Sequence, residues 1–550
     1  MSLRISNINI DIDEDIETIN KKAAKKLRIS EKDIKSLKIL RESIDARRKD
    51  TIKFNYMVEV NCENEDKLLK KIHDRDVIKE KETVDEVFKF GNEKLKHRPV
   101  IVGMGPAGMF AALTLAKNGY SPLVIERGEK VEDRTKTINT FWEGGKLNTE
   151  SNVQFGEGGA GTFSDGKLTT RIKDYRCSIV IDEFVKSGAP EEIAYVGKPH
   201  IGTDILKKVV KNIRKKVIEL GGEILFKSKL EDLIIKDDKL QAVVVNGEEI
   251  PCECLIMAIG HSSRDTYEML YRNQIFMETK PFAIGVRIEH KQELINENQY
   301  GKYKNHPRLK AADYRLTYTT KETKRGVYSF CMCPGGEVVA AASENERLVT
   351  NGMSYFKRDK ENANSALVVS VNNEDFKKEI DLYKKYIPDL DRFGRDNYPL
   401  WGMEFQRYYE HLAYIAGGSN YCAPIQLVGD FMKDRKSTKL GSVTPTYKPG
   451  YNLSNLKECL PNYVIDSLKE GIENFDKKIT GFMDDNAIMT GIETRTSAPV
   501  KICRNKELES VSLKGLYPAG EGAGFAGGII SAAVDGIKAA ESVMQKYKLD

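Results

Sequence analysis

The stretch RPVIVGMGPAGMFAALTLAKNGYSPLVIERG, residues 98–128, carries the reading on which the fold turns. Val100 to Val102 reads as a short apolar strand and Gly103-Met104-Gly105-Pro106-Ala107-Gly108 as a turn. MFAALTLAKNG is a helix ended by Gly119, and PLVIERG is a second strand with Glu126 at its carboxyl end. Each part has a mechanical reason. Gly103 permits the tight turn, Gly105 lets backbone approach a pyrophosphate, and Gly108 allows the helix to pack closely on the strand. The helix amino terminus offers free N–H groups and a positive dipole end for phosphates. Glu126 is placed to accept hydrogen bonds from an adenosine ribose. Glycine spacing alone would be weak, but strand, turn, helix, strand and acid in that order predict a dinucleotide-binding unit.

The same G-x-G-x-x-G spacing recurs in FGEGGAGTFSDGKL, residues 155–168, through Gly156, Gly158 and Gly161. NTESNVQ before it is no apolar strand and TFSDGKL after it no apolar helix, so a second unit of the same kind is not expected. Glycines this dense still mean backbone that comes very close to something or adopts positive φ, with Ser164, Asp165 and Lys167 beside it; a flexible surface loop is the alternative. A third glycine-rich segment, GLYPAGEGAGFAGGIISAAVDGIKAAE at 515–541, reads as a strand ending in Gly520-Glu521, a turn, and a helix starting near Gly528. Between these lie an amphipathic helix, TDILKKVVKNIRKKVIELGG, a GEILF strand with a short meander, and an apolar strand from Leu255 to Ile259 that opens at Gly260-His261-Ser262.

At 550 residues the chain is too long for one ordinary core and should divide into two or three domains. Lys+Arg (87) exceed Asp+Glu (82) by only five, too small a bias to argue for nucleic acid or an anionic membrane. A hydrophobic content of 40% says globular. No run of eighteen apolar residues occurs, and the polar, acidic start MSLRISNINIDIDEDI is unlike a signal peptide, so a cytoplasmic protein is expected. Nine scattered cysteines predict reduced thiols, and seven histidines without ligand spacing give no support for a metal.

The first ninety-odd residues read as a separate small α+β unit. IKFNYMVEV, residues 52–60, places Ile52, Phe54, Tyr56, Val58 and Val60 on one face by strict alternation, the mark of a half-buried strand. ARRKD reads as the turn of a hairpin with SLKILRESI before it, and DIETINKKAAKKL and NEDKLLKKIHD have helical spacing, which suggests a ferredoxin-like arrangement. Arg47, Arg48 and Lys49 at the hairpin tip are read as solvated charge.

One strand-turn-helix unit near the start and a strand-acid-glycine-helix at the end together resemble the FAD-binding domain of two-domain flavoproteins. The phrases SIDARRK, NVQFGEGGAGTFSDGKL, GHSSRDT, FCMCPGG, GIETRTSAPV and PAGEGAGFAGGIISAA resemble most closely an FAD-dependent dehydrogenase group, similar to the wider glutathione-reductase-like NAD(P)/FAD-dependent oxidoreductases. The resemblance implies an α/β fold: a Rossmann-type FAD-binding domain at 96–274 and 491–550, an inserted α+β substrate domain at 275–490, and the small amino-terminal domain at 1–95. It implies that Gly103, Gly105, Pro106, Ala107, Gly108, Glu126, Arg127, Gly128 and Arg134 serve the ribose and pyrophosphate. It implies that Gly158, Gly159, Gly161, Thr162, Ser164, Asp165, Gly166 and Lys167 fold against pyrophosphate and flavin. Ala258, Gly260 and His261 would pass the cofactor, Gly520 and Glu521 would hold the ribitol, and Gly527, Gly528 and Ile529 would aim the last helix at the flavin N1/O2 edge. The resemblance is specific for cofactor and fold and silent on substrate.

For chemistry, Cys331 and Cys333 in FCMCPGG are the most reactive-looking pair, though C-x-C is not the redox C-x-x-C spacing, and buried structural thiols are the alternative. His261 could act as acid or base, or only hydrogen-bond. Arg287 and Arg495 could clamp a carboxylate, or form structural ion pairs. Glu157 stays open in the same way. The function expected is hydride transfer between an unidentified small organic substrate, or NAD(P)H docking transiently, and non-covalent FAD. An RNA-related flavoprotein acting in tRNA modification and a non-catalytic flavin-binding module remain the alternatives.

Overall fold

The computed structural model describes residues 2–80, 88–383 and 398–548. Its organising element is a five-stranded parallel sheet whose spatial order is Leu516–Pro518, Leu255–Met257, Val100–Val102, Leu123–Glu126, Glu223–Phe226. The three central strands are short and wholly buried because helices cover the sheet. In chain order the sheet grows outward from Val100–Val102 to one side, then from Leu255–Met257 to the other. The order therefore reverses between those two strands, and a crevice opens at their carboxyl ends, where ligands of open α/β sheets bind.

Two helices meet over this crevice. Pro106–Lys117 follows the first strand and is apolar almost all round, because the last helix, Ile529–Lys546, lies directly on it. The contact needs glycine: a Cβ on Gly536 would stand 2.0 Å from the Ala107 carbonyl oxygen. A Cβ on Gly108 would stand 1.8 Å from the Gly103 carbonyl oxygen, so Gly108 serves helix–strand packing and not a ligand. A three-stranded antiparallel meander, Leu230–Lys236, Lys239–Val245 and Glu248–Pro251, hangs beside the sheet.

A second sheet of seven strands occupies the middle of the chain, in the order Thr317–Thr319, Gly326–Cys333, Asn362–Val371, Phe282–Lys291, Ile488–Glu493, Ala423–Leu427, Tyr451–Leu453. Its central strand is buried from Phe282 through His290 on both faces. Antiparallel pairing holds across the sheet except between Ala423–Leu427 and Tyr451–Leu453. At Cys331 the register with Asn362–Val371 slips, and Cys331 takes φ +43, so the Cys331-Met332-Cys333 segment bulges out of the ladder.

The amino-terminal elements run strand Leu3–Asp11, helix Thr18–Leu27, strands Ile34–Asp45 and Lys53–Cys62, helix Glu65–Lys71 and strand Val77–Lys79. The sheet order is 34–45, 53–62, 3–11, 77–79, with every neighbour antiparallel. Ile52, Phe54, Tyr56, Val58 and Val60 are all buried. This unit docks through Glu42, whose N–H donates to Tyr195 O and whose carbonyl accepts from Gly197 N, both at 2.7 Å. Arg308 also stacks over Phe54 at 4.3 Å and donates to Ile12 O and Glu14 O. Among the described residues no helix is long and apolar enough to cross a membrane.

The helix contact gives a direct test. Gly536→Val must force the two helices apart or drive the Ala107 carbonyl aside, so the urea midpoint should fall by the equivalent of about 1–3 kcal/mol. An unchanged midpoint would mean that the helices do not touch there.

Candidate functional site

Glu126 ends the second strand almost wholly buried, and its carboxylate collects three backbone N–H groups. Oε2 accepts from Met104 N at 2.7 Å, and Oε1 accepts from Gly128 N at 2.9 Å and Gly156 N at 3.0 Å. One side chain thus joins the first turn, its own turn and the glycine loop. Gly158 N also donates to Met104 O at 2.8 Å, and a Cβ on Gly159, at φ +62, would meet Gly105 Cα at 3.0 Å. The glycine loop therefore lies against the dinucleotide turn and is no free surface loop.

Arg134 supports that loop from behind. Its Nε donates to Asn152 O at 2.9 Å, Nη1 to the carbonyls of Gly156, Glu157 and Gly159, and Nη2 to Val153 O at 2.9 Å. The guanidinium is fully buried, and burial pulls it down to about 10 against the opposing pull of Glu126 and Glu157. The expectation that Arg134 contacts a pyrophosphate is corrected: its donors are spent on the loop. Gly128, Gly158 and Thr162 also stand behind the wall; a Cβ on Gly128 would strike Gly156, one on Gly158 would strike Thr162, and the Thr162 hydroxyl donates to Glu157 O.

The crevice opens into a cavity of about 1140 Å3, above the roughly 300–1,000 Å3 usual for small-molecule sites. Into it face Gly103, Gly105, Pro106, Ala107, Glu126 and Arg127 from the first unit, and Gly159, Gly161, Ser164, Asp165, Gly166 and Lys167 from the glycine loop. Ala258, Gly260 and His261 come from the exit of strand Leu255–Met257, and Gly520, Glu521, Gly527, Gly528 and Ile529 from the last strand-to-helix segment. A Cβ on Gly260 or Gly528 would meet nothing within 4 Å, so the backbone there faces open cavity. Neither Pro106–Lys117 nor Ile529–Lys546 has a side-chain cap, which leaves the first N–H groups of both helices for a ligand.

The second sheet closes the cavity with Cys331, Met332, Cys333 and Glu493. Cys331 opens onto the cavity, and enclosure by its walls pushes the thiol up to about 12. Lys167 donates to the Met332 carbonyl and pairs with Asp165 at 2.8 Å, which also receives Arg358 and Ser354. Burial alone would raise the Asp165 carboxyl, but Lys167 and Arg358 outweigh it and hold it below the ordinary range.

Arg287 does not clamp a substrate. It is fully buried and absent from the cavity wall, with its donors taken by Glu493, Cys331 O, Asn364 and Asn351. The structural alternative holds for it, and its work is to fix the bulge that presents Cys331. Arg495 does reach the wall, but Glu410 takes its Nε and Nη2 at 3.1 and 2.9 Å and Ser343 its Nη1 at 2.6 Å. Glu410 simultaneously receives Arg264, which forms a buried network behind His261. Burial, with the charges of Arg495 and Arg264, drives His261 down to about 3, so its ring is neutral at physiological pH. Burial raises Glu521 to about 7 against the pull of Lys280.

Gln154, Lys280, Arg358 and Glu493 on this wall carry no local sequence signal, since they enter from loops and strand ends far apart in the chain. Arg127 faces the cavity but is paired with Asp265 and Glu150 and lies 4.2 Å over the Phe155 ring.

Residues 281–496 match the family model described as FAD-dependent protein, C-terminal domain-like, and residues 2–61 match the Domain of unknown function (DUF8436). A protein of Clostridium beijerinckii described as "Uncharacterized protein" is 62% identical over 549 residues, 100% of both chains. The chain belongs to the family of that protein. A thiamine thiazole synthase of Methanococcus vannielii is 26% identical over 170 residues, 31% of this chain and 54% of that protein's length. The crystal structure of glycine oxidase from Bacillus cereus is similar at a TM-score of 0.35 and 11% identity, over 82% of this chain and 98% of that one. An overlap that slight bears on neither fold nor function.

The loop's own glutamate offers a pH test. Glu157 is fully buried; its Oε2 accepts from Val131 N at 2.7 Å and Arg214 Nη1 at 2.9 Å, and its Oε1 has no partner. Burial raises it from 4.5 to about 7. An acid raised on folding adds stability that is complete below the unfolded value and is lost as pH rises through the folded one. Stability should therefore fall between about pH 4.5 and 7, and Glu157→Gln should flatten that part of the curve. Parallel curves for both proteins in urea midpoints against pH would contradict the assignment.

Proposed function

We propose that the cavity holds FAD and that the chain is an FAD-dependent oxidoreductase acting on a small organic substrate. The observation that carries this reading is the arrival of two uncapped helix N-termini, Pro106–Lys117 and Ile529–Lys546, in one cavity with the glycine loop packed against the first. Orphan N–H groups at a positive dipole end suit a pyrophosphate at one helix and an electron-rich ring edge at the other. Support also comes from the match of the second sheet's residues to a model described as FAD-dependent.

In this reading Gly103, Gly105 and the first turn of Pro106–Lys117 hold the pyrophosphate. Glu126, whose Oε2 keeps one acceptor site free beyond the three backbone donors, accepts a ribose hydroxyl. Gly159 and Gly161 bring loop backbone against the cofactor, and Glu521 receives the ribitol. Bound FAD supplies a two-electron hydride acceptor and donor. Around it the chain's residues set charge and protons. The N-terminus of Ile529–Lys546 stabilises negative charge on the group it faces. His261, kept neutral by burial first and then by the charges of Arg495 and Arg264, donates or accepts one hydrogen bond without carrying charge. Glu521, near 7, can hold or release a proton close to neutrality. The Cys331 thiol, near 12, stays protonated and is a weak donor rather than a nucleophile.

The chain is read as a cofactor domain at 96–274 and 491–550, a substrate domain at 275–490, and an amino-terminal domain at 1–95. The last is read as ferredoxin-like from its βαββαβ succession. An NAD(P)H donor would dock transiently, since one dinucleotide unit serves the FAD.

Purified protein should be yellow, and acid should release FAD from it. Colourless protein that takes up no added FAD, or release of FMN, would overturn the reading, because Glu126 would have no adenosine ribose to hold.

Gly159→Val tests the loop. A valine side chain at φ +62 strains the backbone and presses on Gly105. FAD affinity should fall at least about tenfold, roughly 1.4 kcal/mol, in fluorescence titration of the apoprotein. Arg48→Ala, on the hairpin tip, should leave it unchanged. Equal affinity for wild type and Gly159→Val would detach the loop from the cofactor.

A further inference from the structure

Among the described residues nine lysines and arginines line the cavity, and they differ in whether another described residue answers their charge. Arg127 and Lys229 share Asp265, Lys198 pairs with Asp313 at 2.6 Å, Lys167 and Arg358 share Asp165, Arg495 has Glu410, and Lys280 donates to Ser497 at 2.7 Å. Arg171 and Arg315 are the remaining two. Both are exposed, and among the described residues neither guanidinium has a hydrogen-bond, ion-pair or ring partner.

Their placement is set by the surrounding contacts. Thr317 pairs with Tyr328, and Ser329 N donates to Leu316 O at 2.9 Å. Continuing that register puts Arg315 opposite Phe330, one residue from the Cys331 bulge. Arg171 follows Thr170, whose hydroxyl meets Ser531 Oγ at 2.9 Å in the first turn of Ile529–Lys546, and lies four residues beyond Lys167, which donates to Met332 O. Both arginines thus line the cavity, Arg315 beside the second sheet's bulge and Arg171 beside the first turn of the last helix. The dinucleotide turn at Gly103–Gly105 is instead faced by the glycine loop, which contributes backbone and small side chains.

We propose that Arg171 and Arg315 form the recognition site for an anionic group, carboxylate or phosphate, on the small molecule that this cavity takes beside its cofactor. The proposal rests on the flavin reading above for the identity of that cofactor. A guanidinium presents a planar fork of donors that matches carboxylate and phosphate oxygens bidentately. Two such forks without a partner among the described residues, both lining one cavity, leave about two positive charges for a ligand to answer. Arg287 and Arg495, whose donors are consumed inside the protein, cannot do this. The apolar Phe330 and the Tyr328 and Thr317 hydroxyls beside Arg315 line the space in which the rest of such a molecule would lie.

Isothermal titration of the full-length purified protein tests this with three probes: succinate, inorganic phosphate, and succinamide as the uncharged counterpart of succinate. At least one anion should bind and succinamide should not; which anion binds distinguishes carboxylate from phosphate recognition. Arg171→Gln and Arg315→Gln should each weaken the anion at least about tenfold, while FAD content and melting temperature stay at wild-type values. Arg171→Lys and Arg315→Lys, which keep the charge and lose the fork, should fall between. The proposal is overturned if neither anion binds wild type, if succinamide binds as well as succinate, or if both Gln variants retain wild-type affinity. It is also overturned if the Gln variants lose FAD, since the arginines would then serve the cofactor. A colourless wild type that binds succinate through these two side chains would uphold the anion site and remove the flavin reading, so the two failures are distinguishable.

Discussion

The carboxylate of Glu126 is the constraint on which the rest of the structure depends. Three segments that share no secondary structure, the Gly103–Gly105 turn, the turn at Gly128 and the glycine loop at Gly156, each give it one backbone N–H. Charge-assisted hydrogen bonds to a buried carboxylate are stronger than neutral ones, and breaking one strands a buried donor. A loop with four glycines in six positions, Gly156 to Gly161, has high conformational entropy when unfolded and few side chains with which to pack. It holds its shape because Glu126 collects an N–H in front while Arg134 collects five carbonyls from behind.

That arrangement makes backbone, rather than side chains, the material of this cavity wall. Backbone N–H and C=O groups away from water must find partners, and the loop's are divided between Glu126, Arg134 and Met104. The missing Cβ of Gly128 lets its turn approach Gly156, and that of Gly156 makes room for the Arg134 side chain. The same economy recurs at Gly536 against Ala107, where the last helix settles on the first. The carboxyl-terminal segment is thereby brought to the same cavity as residues more than 400 positions earlier.

The opposite wall is built on a different principle. There the second sheet is stiffened by buried charge: Arg287 gathers Glu493, Asn351, Asn364 and the Cys331 carbonyl, and Glu410 gathers Arg264 and Arg495. Such networks are costly to desolvate, and here most but not all members are satisfied: Arg264 Nε and Asn364 Nδ2 are buried without a hydrogen-bond partner. Their effect on the cavity is indirect but definite. They add to the burial that keeps His261 neutral, and Arg287 fixes the bulge through the Cys331 carbonyl.

Residues 98–128 determined the strand-turn-helix-strand unit by themselves, because tight turns, close helix–strand packing and a strand-end acid are consequences of neighbours within about thirty residues. The alternation of Ile52 to Val60 was legible for the same reason, and so was the terminal strand-glycine-helix. What tertiary structure alone decided is the role of each charge and each glycine. Arg134, Arg287, Arg495, Arg171 and Arg315 are one residue type; two are wholly internal, one is paired at the wall and two are unanswered. Their partners lie from about twenty to more than two hundred positions away. Gly108, Gly128 and Gly158 relieve packing whereas Gly260 and Gly528 face open space, although local spacing treats them alike. A side chain's donors and a glycine's missing Cβ are local properties, but what stands opposite them is set by how distant strands and loops converge on one cavity.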